Sequence, residues 1–294
     1  MKWIGWIDNA IAVAIVSLVL IARSPNLLYA TNCGNVACGS GFNGSTHDFV
    51  NGPLASFGGP LKVNLNGTNT TVGQCTCCHT PHVAIMTALV WNHHLSNNTQ
   101  FTWEANATTM AGTPYATIAN NWNGPTSKCL SCHDGSVSES TINWYEGQTP
   151  IPGTPACTYD AGTGKYDASC PSYVLIGIGG AMGAQGASKG ATHPVAMPYP
   201  CGGNPSLYNG VTTGAGIVGT EWVGSPGPNI QIYQEIGGAV MHSPAAGCIS
   251  GSAGVECASC HDVHNSAQTL DMDLLRGYIS GSGSTYICNE CHHK

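Results

Sequence analysis

Four segments of the chain place two cysteines three positions apart with a histidine directly after the second. They are Cys75-Thr76-Cys77-Cys78-His79, Cys129-Leu130-Ser131-Cys132-His133, Cys257-Ala258-Ser259-Cys260-His261 and Cys288-Asn289-Glu290-Cys291-His292. The spacing lets both thiols add to the vinyl groups along one porphyrin edge, and the next residue falls over the porphyrin face as an axial ligand to iron. That is the attachment pattern of c-type haem, so four haem c groups are expected, held by Cys75, Cys78, Cys129, Cys132, Cys257, Cys260, Cys288 and Cys291. His79, His133, His261 and His292 are the proximal iron ligands. In the first segment the Cys75/Cys78 register alone leaves two residues between the thiols and a histidine directly after them, which sets Cys77 aside. A histidine after the second cysteine in all four segments, together with export, argues against structural zinc.

Four irons need four further ligands if each is six-coordinate. The remaining histidines are His47, His82, His93, His94, His193, His242, His264 and His293, twice the demand. Methionine would raise the potential relative to histidine, and the histidine supply favours histidine throughout. His82 and His264 each lie three residues past a proximal histidine, about one helical turn, so both rings leave one face of one short segment. The second ring cannot swing to the far side of its own haem, but it can reach a haem lying alongside. On the residues alone, His47, His93, His94 and His193 are each as compatible with a solvent-exposed histidine as with a ligand. His242 and His293 read as non-ligands.

These groups need a scaffold, and the composition limits it. Gly accounts for 39 of 294 residues and Phe for only four, so the aliphatic core is thin and haem must fill much of the interior. The expected fold class is a multihaem cytochrome c, a single domain over residues 31–294. It is mostly irregular coil with short helices and minor β-strands packed around four haems. Residues 31–74 form a Gly/Asn/Thr-rich lead, and part of 75–95 has helical periodicity. The stretch from about 141 to 256 reads as an insertion with β-like runs at 173–176 and 230–233. It holds Cys157, Cys170, Cys201 and Cys248, so it is expected to be a loop region pinned by disulfides.

The amino terminus reads as a secretion signal. A positive start is followed by an apolar run from Ala10 to Ala22, with Ala30 at the cleavage point. The run is short against the ~20 residues a membrane span requires, so a membrane enters only if the segment is retained. Export places the non-motif cysteines in an oxidising compartment. Local spacing pairs Cys33 with Cys38, Cys157 with Cys170 and Cys201 with Cys248, and leaves Cys77 over. The net charge is −7 and only 8% of residues are charged. No basic patch exists, which argues against nucleic acid as a partner. N-glycosylation sequons start at Asn43, Asn66, Asn69, Asn97 and Asn106. They mark a solvent-facing region if used, although an Asn/Thr-rich stretch also generates sequons by composition.

Taken together, Thr46-His47-Asp48-Phe49, Cys78-His79-Thr80-Pro81-His82, Trp91-Asn92-His93, Cys129 to Gly135, His193-Pro194-Val195, Cys257 to Asn265 and Cys288 to His292 resemble a known group. It comprises the secreted multihaem cytochromes with a doubled Cys-x-x-Cys-His motif, including tetrahaem subunits of extracellular cytochrome filaments. The resemblance runs from about residue 46 to 294. It implies bis-histidine haems, with His47, His82, His193 and His264 as distal ligands and His93 in reserve. It also implies head-to-tail self-association, in which a histidine of one subunit can ligate a haem of the next. His47, on a mobile lead, is the candidate for that role. The long insertion, Cys77 and the sequon cluster depart from the family pattern.

The expected function is therefore extracellular or cell-surface electron transfer without enzymatic turnover, passing electrons to redox partner proteins or extracellular acceptors. A discrete tetrahaem carrier with no filament is the alternative. A multihaem reductase would need an open iron position, which the histidine supply disfavours.

Overall fold

The chain divides into two units, Met1–Thr31 and Asn32–Lys294. The computed structural model describes residues 33–52, 62–65, 68–71, 73–80, 90–103, 108, 112, 114–134, 150–151, 159–160, 165–166, 181–182, 193–200, 206–212, 222–224, 226–236, 239–243, 252–279 and 286–293. The leader, His82, Cys157, Cys170, Cys201, Cys248, Asn66, Asn106 and the run 173–176 lie outside them. Among the described residues no helix is long and apolar enough to cross a membrane.

Each Cys-x-x-Cys-His segment closes one tight turn. The His79 amide donates to the Cys75 carbonyl at 2.9 Å, that of His261 to Cys257 at 3.1 Å and that of His292 to Cys288 at 2.9 Å. A bond from a residue to the one four before it is one α-helical turn, which stacks the histidine over the first cysteine. The second segment ends a full helix, α1, Pro125–His133. Pro125 opens it, where a missing amide costs nothing and the fixed φ suits the helix. The third segment forms the single turn α2, Cys257–Cys260, capped reciprocally by Glu256 and Ser259. The fourth lies in a 3-10 turn, Ile287–Glu290.

A four-stranded antiparallel sheet feeds α2. Its order is Ala239–Ser243, Ile232–Ile236, Ala253–Val255, Met197–Pro198, with Tyr233 opposite Gly254 and Val255 opposite Met197. Gly254 is required: a Cβ there would come within 2.3 Å of the Tyr208 ring. Two small apolar clusters complete the packing. One holds Phe101, Ile118, Leu130, Met182, Val195 and Ala196 and touches Cys257. The other holds Tyr199, Ile230, Ile232, Ala253 and Val255 and touches Cys260 and Cys291. Both are seated on cysteines of the Cys-x-x-Cys-His segments.

Two expectations change. The stretch 141–256 is more than a loop region, because its later part builds the sheet and supplies residues to both clusters. Its β-branched and aromatic residues alternate only over short runs, so the pairing was hidden by Gly and Pro. The lead is also held. Cys33 and Cys38 form the disulfide expected from their spacing. Asn265, with φ 50°, clasps the lead from the other end of the chain. Its side chain donates to the carbonyls of Ala37 and Gly41 at 3.0 and 2.9 Å, and accepts from the Gly39 amide at 2.7 Å. Asparagine tolerates this left-handed backbone better than most residues.

Candidate functional site

Three of the four motif histidines face a histidine from outside the motifs. The ring centres of His47 and His133 are 6.1 Å apart, those of His79 and His264 are 6.2 Å apart, and those of His193 and His292 are 6.4 Å apart. The fourth motif histidine, His261, donates from Nδ1 to the Asp273 carbonyl at 2.8 Å. His82, expected opposite an iron, is outside the described residues.

These separations can be tested against iron. A metal–imidazole bond of about 2 Å, plus roughly 1 Å from nitrogen to ring centre on each side, puts two trans rings about 6 Å apart. All three separations match that distance. Two imidazoles supply only axial donors. Among the described residues no group of three or more His, Cys, Asp or Glu converges as a protein-only metal site, and haem would supply the four equatorial nitrogens. The donors are also in the right form. Burial holds His47 down to about 3, assisted by the charges of His133, His261 and His264. Crowding by the surrounding protein lowers His193 against the Pro194 carbonyl and His264 against the pull of Asp262, although both residues keep a face open to solvent. Neutral imidazole is the metal-binding form. Where Nδ1 meets a carbonyl, as in His261 and in His193 with Pro194 at 2.7 Å, the ring is oriented and Nε2 is left for a metal.

Three of these histidines share a feature that spacing alone did not flag. Asp48, Asp134 and Asp262 directly follow His47, His133 and His261, and all three are buried. Asp48 accepts from the amides of Gly44, Val50 and Asn51 at 2.8, 2.9 and 3.0 Å and from Gln74. Burial pushes its carboxyl up, but those hydrogen bonds together hold it below its ordinary value. Asp134 accepts from Ser96 and from Asn98 at 2.7 Å. Asp262 accepts from the His264 and Ser266 amides, both at 3.1 Å. Asp48 and Asp262 accept from amides that follow them and so bend the chain after their histidines, whereas Asp134 ties the end of α1 to Ser96 and Asn98. The repeated His-Asp dipeptide was the available sequence signal.

The four segments also contact one another. The Cys129 thiol hydrogen-bonds the Cys257 sulfur, which raises Cys129 and lowers Cys257. Cys260 is pushed up to about 12 by burial, then by Cys257 and Cys288. Glu256 knots the second and third segments together. Its carboxylate accepts from Trp122 Nε1 at 2.8 Å, Tyr208 Oη at 2.6 Å and the Thr126 amide at 3.1 Å. Thr126 Oγ1 in turn accepts from the Cys257 amide at 3.1 Å. Gly124 must be glycine here, since a Cβ would lie 2.1 Å from Glu256 Oε1. Beside the knot, Lys128 Nζ donates to the carbonyls of Trp122, Asn123 and Gly124 at 2.6, 2.8 and 3.1 Å. The third segment is the hub: it meets the second through Cys257 and the fourth through Cys260, and His264, three residues past it, faces His79 of the first.

The reserve histidine is placed differently. His93 is buried, with Nε2 3.6 Å from Cys132 Sγ and its ring 6.3 Å from Trp91. It lies beside the second cysteine of the second motif. His94 and His293 are exposed, and His242 sits on the strand Ala239–Ser243. Cys77 is a buried thiol that hydrogen-bonds Cys78 and lowers it. Asn43 and Asn97, two of the sequon asparagines, are exposed.

No known protein family matches the chain, and no curated protein is similar to it.

Proposed function

We propose that this protein is a tetrahaem c-type cytochrome that transfers electrons outside the cytoplasm and carries out no substrate turnover. The observation that supports this best is the facing of three motif histidines by three other histidines at 6.1–6.4 Å. Haem supplies reversible one-electron chemistry when bound. The motif cysteines would hold it covalently, and the motif histidines with the histidines facing them would ligate the iron and so close it to substrates. His82 opposite His261 would complete the fourth pair. His264 on the third segment and His82 on the first then tie two haems into a reciprocal pair.

Secretion is supported by the leader and the disulfide. The resemblance to filament-forming cytochromes supports head-to-tail assembly, in which repeated contacts that do not close into a ring extend the haem chain. His47 faces His133 within one chain, which favours ligation inside the subunit over a ligand shared with a neighbour. A discrete carrier is the second reading, and the same intramolecular pair favours it. Negative-stain microscopy of the secreted protein separates them: filaments are expected, and dispersed particles alone would leave the discrete carrier.

The decisive test is intact mass after acid–acetone extraction. Four haems should survive extraction on each chain. A chain that emerges without covalent haem contradicts the proposal.

A further inference from the structure

Asp273 and Leu274 hold left-handed backbone in succession, with φ 59° and 58°. Aspartate visits this region occasionally, but a leucine rarely does, and Leu274 is buried. Backbone of this kind persists only where its surroundings over-determine it. Here the surroundings are the third Cys-x-x-Cys-His segment. The Asp262 amide donates to the Leu274 carbonyl at 2.7 Å, and the Arg276 amide donates to the Cys260 carbonyl at 2.8 Å. His261 and Leu275 therefore face each other as an antiparallel bridge. The turn is braced from its own side as well. The Leu270 amide donates to the Leu275 carbonyl at 2.7 Å, and the buried Asp271 carboxylate accepts from the Met272 and Ile279 amides at 2.8 and 3.0 Å.

The braced turn aims one group. The Asp273 carbonyl belongs to the peptide between the two left-handed residues, so their conformation sets its direction. It accepts from His261 Nδ1 at 2.8 Å, 12 residues away in sequence. Such an acceptor is not automatic. His193 uses the carbonyl of its own neighbour, Pro194, and the Nδ1 of His47 is buried with no partner. A carbonyl on Nδ1 fixes the tautomer and ring direction and raises the basicity of Nε2 as a ligand. A more basic ligand favours ferric over ferrous iron, which lowers the potential.

We propose that the Asp273–Leu274 turn is a positioning element for His261, and that its carbonyl lowers the potential of the haem held at the third segment. The inference rests on the tetrahaem reading. Asp273 and Leu274 act through His261 and not on the iron.

Spectroelectrochemical titration of two variants of the four-haem protein tests this. Asp273→Val puts a β-branched side chain where φ is positive, so the turn must relax and withdraw its carbonyl. Asp273→Gly accepts the left-handed backbone and keeps the carbonyl in place. Both remove the same charge, so the difference between them reports the carbonyl alone. One reduction equilibrium should lie about tenfold further toward the reduced form in Asp273→Val than in Asp273→Gly, or about 59 mV for one electron. Equal midpoints in the two variants would overturn the positioning role and leave the tetrahaem reading intact; wild-type protein without covalent haem would fail both. Should Asp273→Val not load haem, nitrogen-15 spectra of ferrous wild-type protein with labelled histidine decide. A His261 Nδ1 proton that exchanges slowly with solvent supports the role, and one that exchanges as fast as free imidazole overturns it.

Discussion

The His47–His133 and His193–His292 pairs have nearly the same separation and opposite surroundings. Both members of the first are followed by a buried aspartate, Asp48 and Asp134, and His47 lies within electrostatic reach of His133, His261 and His264. The second has Pro194 and His293 in those positions. His193 is exposed, and Trp222 packs on His292 with ring centres 4.5 Å apart. One pair is flanked by buried carboxylates, Asp48 on its own loop amides and Asp134 on Ser96 and Asn98; the other is flanked by a proline carbonyl and an aromatic wall. Equal ligands in unequal burial should differ in potential, because burial and hydrogen bonding tune haem as much as ligand type does. On the proposed reading, the inner pair would serve as an interior relay and the outer pair as a point of entry or exit.

Exchanging ligands should break this contrast most strongly. His47→Met and His193→Met should each raise one midpoint, on the order of 0.1 V within the roughly 0.8 V that axial ligands span. The inner exchange should also move the midpoints of neighbouring haems, while the outer one should move its own alone. Redox titration followed by visible absorption reads both.

Asp48→Ala comes next. It strips an acceptor from three amides and Gln74, and should cost roughly 3 kcal/mol. The melting temperature should fall, and a high-spin fraction should appear at one haem as His47 loses its direction. The His193–His292 signal should not change.

Trp222→Ala should act on the outer pair only. Trp222 is partly buried against Tyr199 at 5.2 Å, so the loss should be about 2 kcal/mol. The paramagnetic resonance line of that haem should shift as the His292 plane, now 55° from His193, relaxes.

The smallest effect is a pH slope at the Glu256 knot. Burial raises Glu256 above its ordinary 4.5, against hydrogen bonds from Thr126, Tyr208 and Trp122. A carboxyl raised by folding stabilises the fold fully below the ordinary value, and that stabilisation is lost as pH climbs through the raised value. Glu256→Gln does not titrate. The gap in melting temperature between wild type and this variant should therefore change as pH rises above 4.5, and a constant gap would remove Glu256 from the account.

The site was more legible in the sequence than the fold was. The Cys-x-x-Cys-His segments are read directly from their spacing, and each closes a helical turn that stacks histidine over the first cysteine. The histidines that face them come from remote segments. Which of His47, His93 and His193 would meet a motif histidine depended on Asn265 clasping the lead and on Asp134 tying in Ser96 and Asn98, contacts that no local period encodes. The Glu256 knot left a trace in Glu256-Cys257-Ala258-Ser259, a capping signature directly ahead of α2, but its partners Trp122 and Tyr208 are remote. The sheet was least legible, since its strands at 197–198 and 253–255 are too short for alternation to register.

Electron paramagnetic resonance of the oxidised protein tests the central claim most directly. Filled axial positions on every iron require four low-spin ferric haems. The His79–His264 haem should be the most rhombic, because its ring planes are only 16° apart, and the pairs at 45° and 55° should give more axial signals. A high-spin ferric signal integrating to one haem or more per chain would contradict the account.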